Sequence, residues 1–191
     1  NGIDGQTPGF VAVAALILGF YSLKLYNQGD PNQLWIAIIS FITAASAAGF
    51  LPYNWYPAKI FLGFSGTTIF GFMLAVLSIL SGAKLAVALL VLLVPATDSI
   101  YTGLRRIISG KSPFFGDKKH LHHLLLERGW SHQKISLFYI LSCAILGVLA
   151  INLPSTGKIF TILAVGIIIV GCLLWLNFFG KSSEPSDQDS G

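Results

Sequence analysis

The chain has 191 residues, 54% of them hydrophobic and only 10% charged, with a net charge of +4 and a mean hydropathy of +0.73. Soluble domains carry about 25% charged residues, so 12 basic and 8 acidic side chains cannot clothe a water-facing surface, and the apolar residues must face lipid. The basic balance does not make a nucleic-acid binder, which needs a basic stripe on a soluble fold; here the cations gather in one short loop between apolar runs.

The fold class this predicts is all-α, a polytopic membrane bundle of about six spans plus a cytoplasmic amphipathic segment. A span takes about 20 largely apolar residues. The runs that meet or approach this are Gly9–Tyr26, Leu34–Leu51, Gly66–Gly82, Leu85–Tyr101, Ile135–Leu153 and Ile159–Phe178. The opening segment before Gly9 has neither a basic stretch nor an initiator Met, and reads as the middle of a longer protein. Turns are signalled by Asn27 to Asn32, by Ser81 to Lys84 and by Pro154 to Gly157. Backbone amides in hydrocarbon need partners within their own segment, so the runs are helices, and Pro95 is tolerated inside one of them. Cys143 and Cys172 lie in apolar runs without metal-type spacing and read as small hydrophobes. Residues 1–180 form one transmembrane domain, and 181–191 are a disordered Ser/Asp/Glu-rich tail.

With six spans, Lys59, Arg105, Arg106, Lys111, Lys118, Lys119, Arg128, Lys134 and Lys181 share one side. Lys24, Lys84 and Lys158 lie on the other, beside span ends where they can snorkel. The excess of basic residues makes the first side cytoplasmic. Asp4, Asp98, Asp117, Glu127 and all four histidines fall on that side or at span ends facing it. No ionisable residue sits near mid-span, which counts against a channel or transporter.

The richest segment is 111–131. His120, His122 and His123, flanked by Lys118, Lys119 and Arg128, make a cationic, hydrogen-bonding patch suited to phosphate or diphosphate. Leu121, Leu124 and Leu125 recur at helical spacing, as in an interfacial amphipathic helix. A solvated loop that only fixes topology explains the same residues about as well. Zinc is disfavoured, because the i, i+2, i+3 spacing is not that of the usual pair and no Cys accompanies it. Residues 59–68, rich in Gly, Ser and Thr, open a span and could offer amides to an anion, or simply pack. Asp98, near a span end, is a candidate functional acid or a carboxylate paired with Arg105 or Arg106. Asp4, beside Gly5, is a turn former or a ligand-reading acid.

Taken in order, these segments resemble the polyprenyl-phosphate N-acetylhexosamine-1-phosphate transferases, in the branch with a His-X-His-His motif. Residues 113–131 resemble that family's last cytoplasmic loop, and residues 59–80 its Lys-Ile-Phe-Met-Gly-Asp-X-Gly-Ser block with the span that follows. Asn1 to Gly9 resemble its Asp-Gly-X-Asp-Gly-Leu-Ala-X-Gly block, with Asp4 on the second acid and Asn1 on the first. The likeness covers the C-terminal part of the family fold, and the family's early acid pair lies upstream of it.

The resemblance implies transfer of N-acetylhexosamine 1-phosphate from a UDP-sugar to a polyprenyl phosphate at the plasma membrane, with Mg²⁺ as cofactor. It implies Asp4 and Asp98 as catalytic or site-stabilising residues. His120, His122, His123, Lys118, Lys119 and Arg128 would then bind substrate. The expected Mg²⁺ ligand position is Phe64, and that departure, with Asn1, motivates an alternative: an inactive relative that binds polyprenyl phosphate or nucleotide sugar without transfer. A homodimer is compatible with either reading, and no nucleic-acid partner is implied.

Overall fold

The computed structural model describes residues 3–81, 86–108, 110 and 120–179, and all regular structure among them is helical. The eight helices are α1 (Gln6–Asn27), α2 (Gln33–Asn54), α3 (Gly63–Leu80), α4 (Ala86–Val91), α5 (Leu93–Ile108), α6 (Leu121–Glu127), α7 (His132–Asn152) and α8 (Ser155–Phe179). Five of these, α1, α2, α3, α7 and α8, are long and apolar enough to cross a membrane. The chain is a multi-pass membrane protein. A 22-residue helix such as α1 is about 33 Å long, enough to span the hydrocarbon core.

The fourth apolar run departs from expectation. It is interrupted at Leu92 into α4 and α5 rather than forming one unbroken helix. Pro95 is the physical cause: it has no N–H to give the carbonyl one turn back, and its ring crowds the preceding turn. The ladder resumes on either side, with Leu92 N donating to Ala88 O at 3.0 Å and Ala96 N to Leu92 O at 2.9 Å. Val87, Leu90 and Val91 of α4 are buried in the bundle centre, whereas α5 carries the buried polar residues Asp98 and Thr102.

α1 is the hub. Half of its span is buried, against 11% for the peripheral α8. It forms an antiparallel hairpin with α2, with the Phe20 and Phe41 rings packed edge-on at 5.3 Å. It also runs parallel to α7, as paired contacts along both helices show. Ser136 Oγ donates to Asp4 O at 2.6 Å, Gly9 faces Ile140, Gly147 faces Ile17, and Lys24 Nζ donates to Ile151 O at 3.1 Å. A Cβ on Gly147 would lie 2.6 Å from Ile17 Cγ1. Glycine here lets two backbones approach, the usual device where lipid offers no hydrophobic drive to association.

Hydroxyls inside the spans bond back to the carbonyl one turn earlier: Ser40 to Ile36, Thr43 to Ile39, Ser142 to Phe138. This satisfies them where water is absent. Thr67 and Thr68 do the same to Gly63 and Phe64 at the entry of α3. The two threonine hydroxyls of that Gly/Ser/Thr segment thus bond to their own helix.

Not every basic residue behaves as a snorkelling one. Lys158 is buried, with its ammonium 5.1 Å from the centre of the Tyr21 ring. The expected polar tail, together with Lys84, Lys118 and Lys119, lies outside the described residues.

Candidate active site

Asp98 organises the end of the bundle where α1 and α7 begin. It lies one turn after Pro95 on α5 and is 4% exposed. Its Oδ1 accepts from Leu121 N at 2.7 Å, and its Oδ2 lies 3.1 Å from His120 Nδ1. A helix start leaves its first amides without partners, and His120, the residue preceding α6, supplies no side-chain cap. The carboxylate of α5 therefore satisfies the first amide of α6 across 23 residues of sequence. It also fixes how the first imidazole of the motif is presented.

The three predicted imidazoles come together. His120 stacks on His122 with centroids 5.5 Å apart, and His122 lies 4.3 Å from His123. His122 is buried, and among the described residues its Nε2 has no hydrogen-bond partner. Burial first, and then the adjacent His123, lower its pKa to about 4, while Asp98 opposes the shift. At neutral pH His122 is therefore an uncharged ring with a polar nitrogen to offer. Such a group can bind a phosphoryl oxygen or hold a proton at Nε2.

Helix α6 divides two environments. On its apolar side Leu121 and Leu125, with Val94, Trp130, Phe138 and Cys172, line a hollow of about 280 Å³. The leucine periodicity of the sequence is thus realised as a wall between an imidazole cluster and an apolar cavity. Trp130 packs edge-on to Phe138 at the rim.

The remaining predicted residues are distributed differently. Asp4 sits at the same end of the bundle, but its Oδ2 accepts from Ala58 N at 3.0 Å. It ties the turn before α1 to the α2–α3 connection. Gly5 makes that turn feasible, with φ at 75° and no room for a Cβ, which would meet Trp55 at 2.9 Å. Its amide donates to Asn54 Oδ1 at 3.0 Å. Arg128 is turned to α8, with its guanidinium 4.8 Å over the Trp175 ring, a cation–π contact. Phe64 is 88% exposed in the first turn of α3.

Tyr139, which the sequence reading did not single out, lies in the same part of the bundle. It is completely buried on α7, one turn after Ser136, and among the described residues its hydroxyl has no hydrogen-bond partner. A tyrosine within an apolar run was the available signal, since a buried Tyr normally finds a polar partner.

Comparison with known proteins gives a consistent result. Residues 1–82 match the glycosyl transferase family 4 model. A decaprenyl-phosphate N-acetylglucosaminephosphotransferase of Mycobacterium leprae is 36% identical over 177 residues, covering 82% of this chain and 43% of the relative. A probable undecaprenyl-phosphate N-acetylglucosaminyl 1-phosphate transferase of Bacillus subtilis is 30% identical over 185 residues, covering 94% of this chain and 46% of the relative. An undecaprenyl-phosphate alpha-N-acetylglucosaminyl 1-phosphate transferase of Thermotoga maritima is 30% identical over 150 residues, 77% of this chain and 45% of the relative. The chain spans a little under half the length of the curated relatives it matches.

Proposed function

Because the chain belongs to the polyprenyl-phosphate N-acetylhexosamine-1-phosphate transferase family, we propose that it serves the transfer of N-acetylhexosamine 1-phosphate from a UDP-sugar to a polyprenyl phosphate. A lipid phosphate oxygen attacks the sugar-bearing phosphorus, a new P–O bond forms, and the P–O bond to UMP breaks. The single observation that carries the reading is the imidazole cluster held by Asp98 directly beside an apolar hollow. A membrane acceptor needs that pairing: a polar group for its phosphate and an apolar channel for its chain.

In this reading His122 and His123 bind phosphoryl oxygens, and His120 is oriented by Asp98. Lys118 and Lys119 precede them in sequence and add positive charge. Asp4 is a positioning residue for the nucleotide end, through its hold on Ala58. Arg128 holds α6 to α8 through Trp175. The membrane is the plasma membrane with the histidine end cytoplasmic, which the crowding of basic residues on that side supports. That side is where a soluble nucleotide sugar is met.

Mg²⁺, implied by the family, does not fit the described residues taken alone. It demands oxygen ligands in near-octahedral geometry. Among the described residues no group of three or more His, Cys, Asp or Glu side chains is arranged to hold a metal ion. Both Asp98 oxygens and one of Asp4 are engaged, and Phe64 has no oxygen to give. The relatives are named as transferases, so their names lend nothing to a binding-only reading.

The test uses the full gene product in membranes, with UDP-N-acetylglucosamine and a polyprenyl phosphate as probes. Saturable stabilisation by both ligands, lost in His122→Ala and His123→Ala, together with UMP release, is the expected result. Stabilisation that survives both substitutions sinks the assignment of the cluster, and absence of UMP release with every UDP-sugar sinks the transfer.

A further inference from the structure

A second polar hollow, of about 380 Å³, opens at the opposite end of the bundle from the histidines, where α1 and α7 end and α8 begins. Tyr21, Lys24, Gln28, Asn152, Pro154 and Lys158 are among its lining residues, and none of the lining residues is acidic. Because α1 and α7 run parallel, this hollow lies about 30 Å from Asp4, one helix length away. It is a separate site.

Its two lysines are held differently. Lys24 is exposed and donates to Ile151 O, one of the carbonyls that the end of α7 leaves open. Lys158 is 6% exposed and lies over the Tyr21 ring. Asp30, the acid of the α1–α2 turn, is engaged by Asn32 N and Gln33 Nε2. Two cations thus line one hollow whose described lining residues include no acid, at a bundle end where basic residues are few.

We propose that this hollow binds the phosphate group of an anionic membrane lipid in the leaflet at that end. Lys24 and Lys158 supply the charge, and Gln28 and Asn152 border the headgroup. A volume of about 380 Å³ lies in the range of small-ligand sites, roughly 300–1,000 Å³. The site sits at an interface where lipid headgroups are present at high local concentration. It does not depend on the transferase reading.

The experiment compares the full protein in nanodiscs of phosphatidylcholine alone and with increasing phosphatidylglycerol, reading the thermal midpoint and lipid retention by native mass spectrometry. The double variant Lys24→Gln/Lys158→Gln should lose most of the phosphatidylglycerol-dependent midpoint shift and retain the anionic lipid about tenfold less strongly, the scale of lost charge-assisted contacts. Inorganic phosphate in phosphatidylcholine discs should give no comparable shift. Should the double variant misfold, Lys24→Gln alone, at an exposed position, must show a partial loss. An unchanged phosphatidylglycerol response in a folded variant overturns the proposal. A full response to inorganic phosphate alone overturns the lipid as its source.

Discussion

The Asp98 carboxylate and the His120 imidazole, 22 residues apart, meet at 3.1 Å, with the other Asp98 oxygen on the amide of Leu121. One buried acid therefore anchors the helix that carries the histidine motif and orients the first ring of that motif. This explains why an acid is tolerated next to an apolar run: its lone pairs are satisfied by partners it holds in place.

Asp98→Ala should accordingly cost about 1–3 kcal/mol of local stability, the range for losing charge-assisted hydrogen bonds and stranding a buried amide. Asp98→Asn keeps an acceptor for Leu121 N and should cost less. Thermal unfolding and protease cleavage near residue 120 read the effect. An alanine variant as resistant as wild type would show that α6 is held by other contacts.

Stability at the histidine end should fall on acidification. His122 titrates near 4 in the folded protein, against 6.5 unperturbed. Between these values the unfolded chain binds the extra proton, so stability is fully present above about pH 6.5 and is lost progressively down to about pH 4. His122→Gln should flatten the pH dependence of the thermal midpoint in that window. An equally steep slope in the variant would place the titrating group elsewhere.

Close approach of α1 and α7 makes Gly147 sensitive. Gly147→Leu should destabilise by about 1–3 kcal/mol through overpacking against Ile17. Gly71→Ala and Gly166→Ala are the controls, because a Cβ there meets nothing within 4 Å. Their change should stay within about 1 kcal/mol and favour the helix. Unfolding in detergent distinguishes the two classes, and equal midpoints across all three variants would contradict the parallel contact.

Phe64 is 88% exposed in the first turn of α3, so Phe64→Asp should leave the fold within about 0.5 kcal/mol of wild type. An acid near a helix N-terminus is also favoured by the helix dipole. Titration with Mg²⁺ should give no saturable midpoint shift in wild type and a saturable one in the variant. A wild-type response as large as the variant's would mean that residues other than position 64 already make a cation site.

Much of this protein was legible in its sequence, because a bilayer restricts what a chain can do. Twenty-residue apolar runs had to become helices, and α1, α2, α7 and α8 start and end near the predicted limits. The His-X-His-His spacing beside Leu121 and Leu125 likewise marked both the motif and its helix, since local periodicity is carried by neighbouring residues. Tertiary structure decided the rest. Leu85–Tyr101 looked like one span by composition, yet Pro95 splits it, and its second half carries Asp98 to His120 rather than crossing as an unbroken helix. Asp4 as an anchor for Ala58, Arg128 on Trp175, and Lys158 buried on Tyr21 are all contacts across long sequence separations. They are set by which helices lie side by side and in which direction. Hydropathy fixes that a helix crosses; it does not fix its neighbour, and the seating of the helices against one another determined where each of these side chains found its partner.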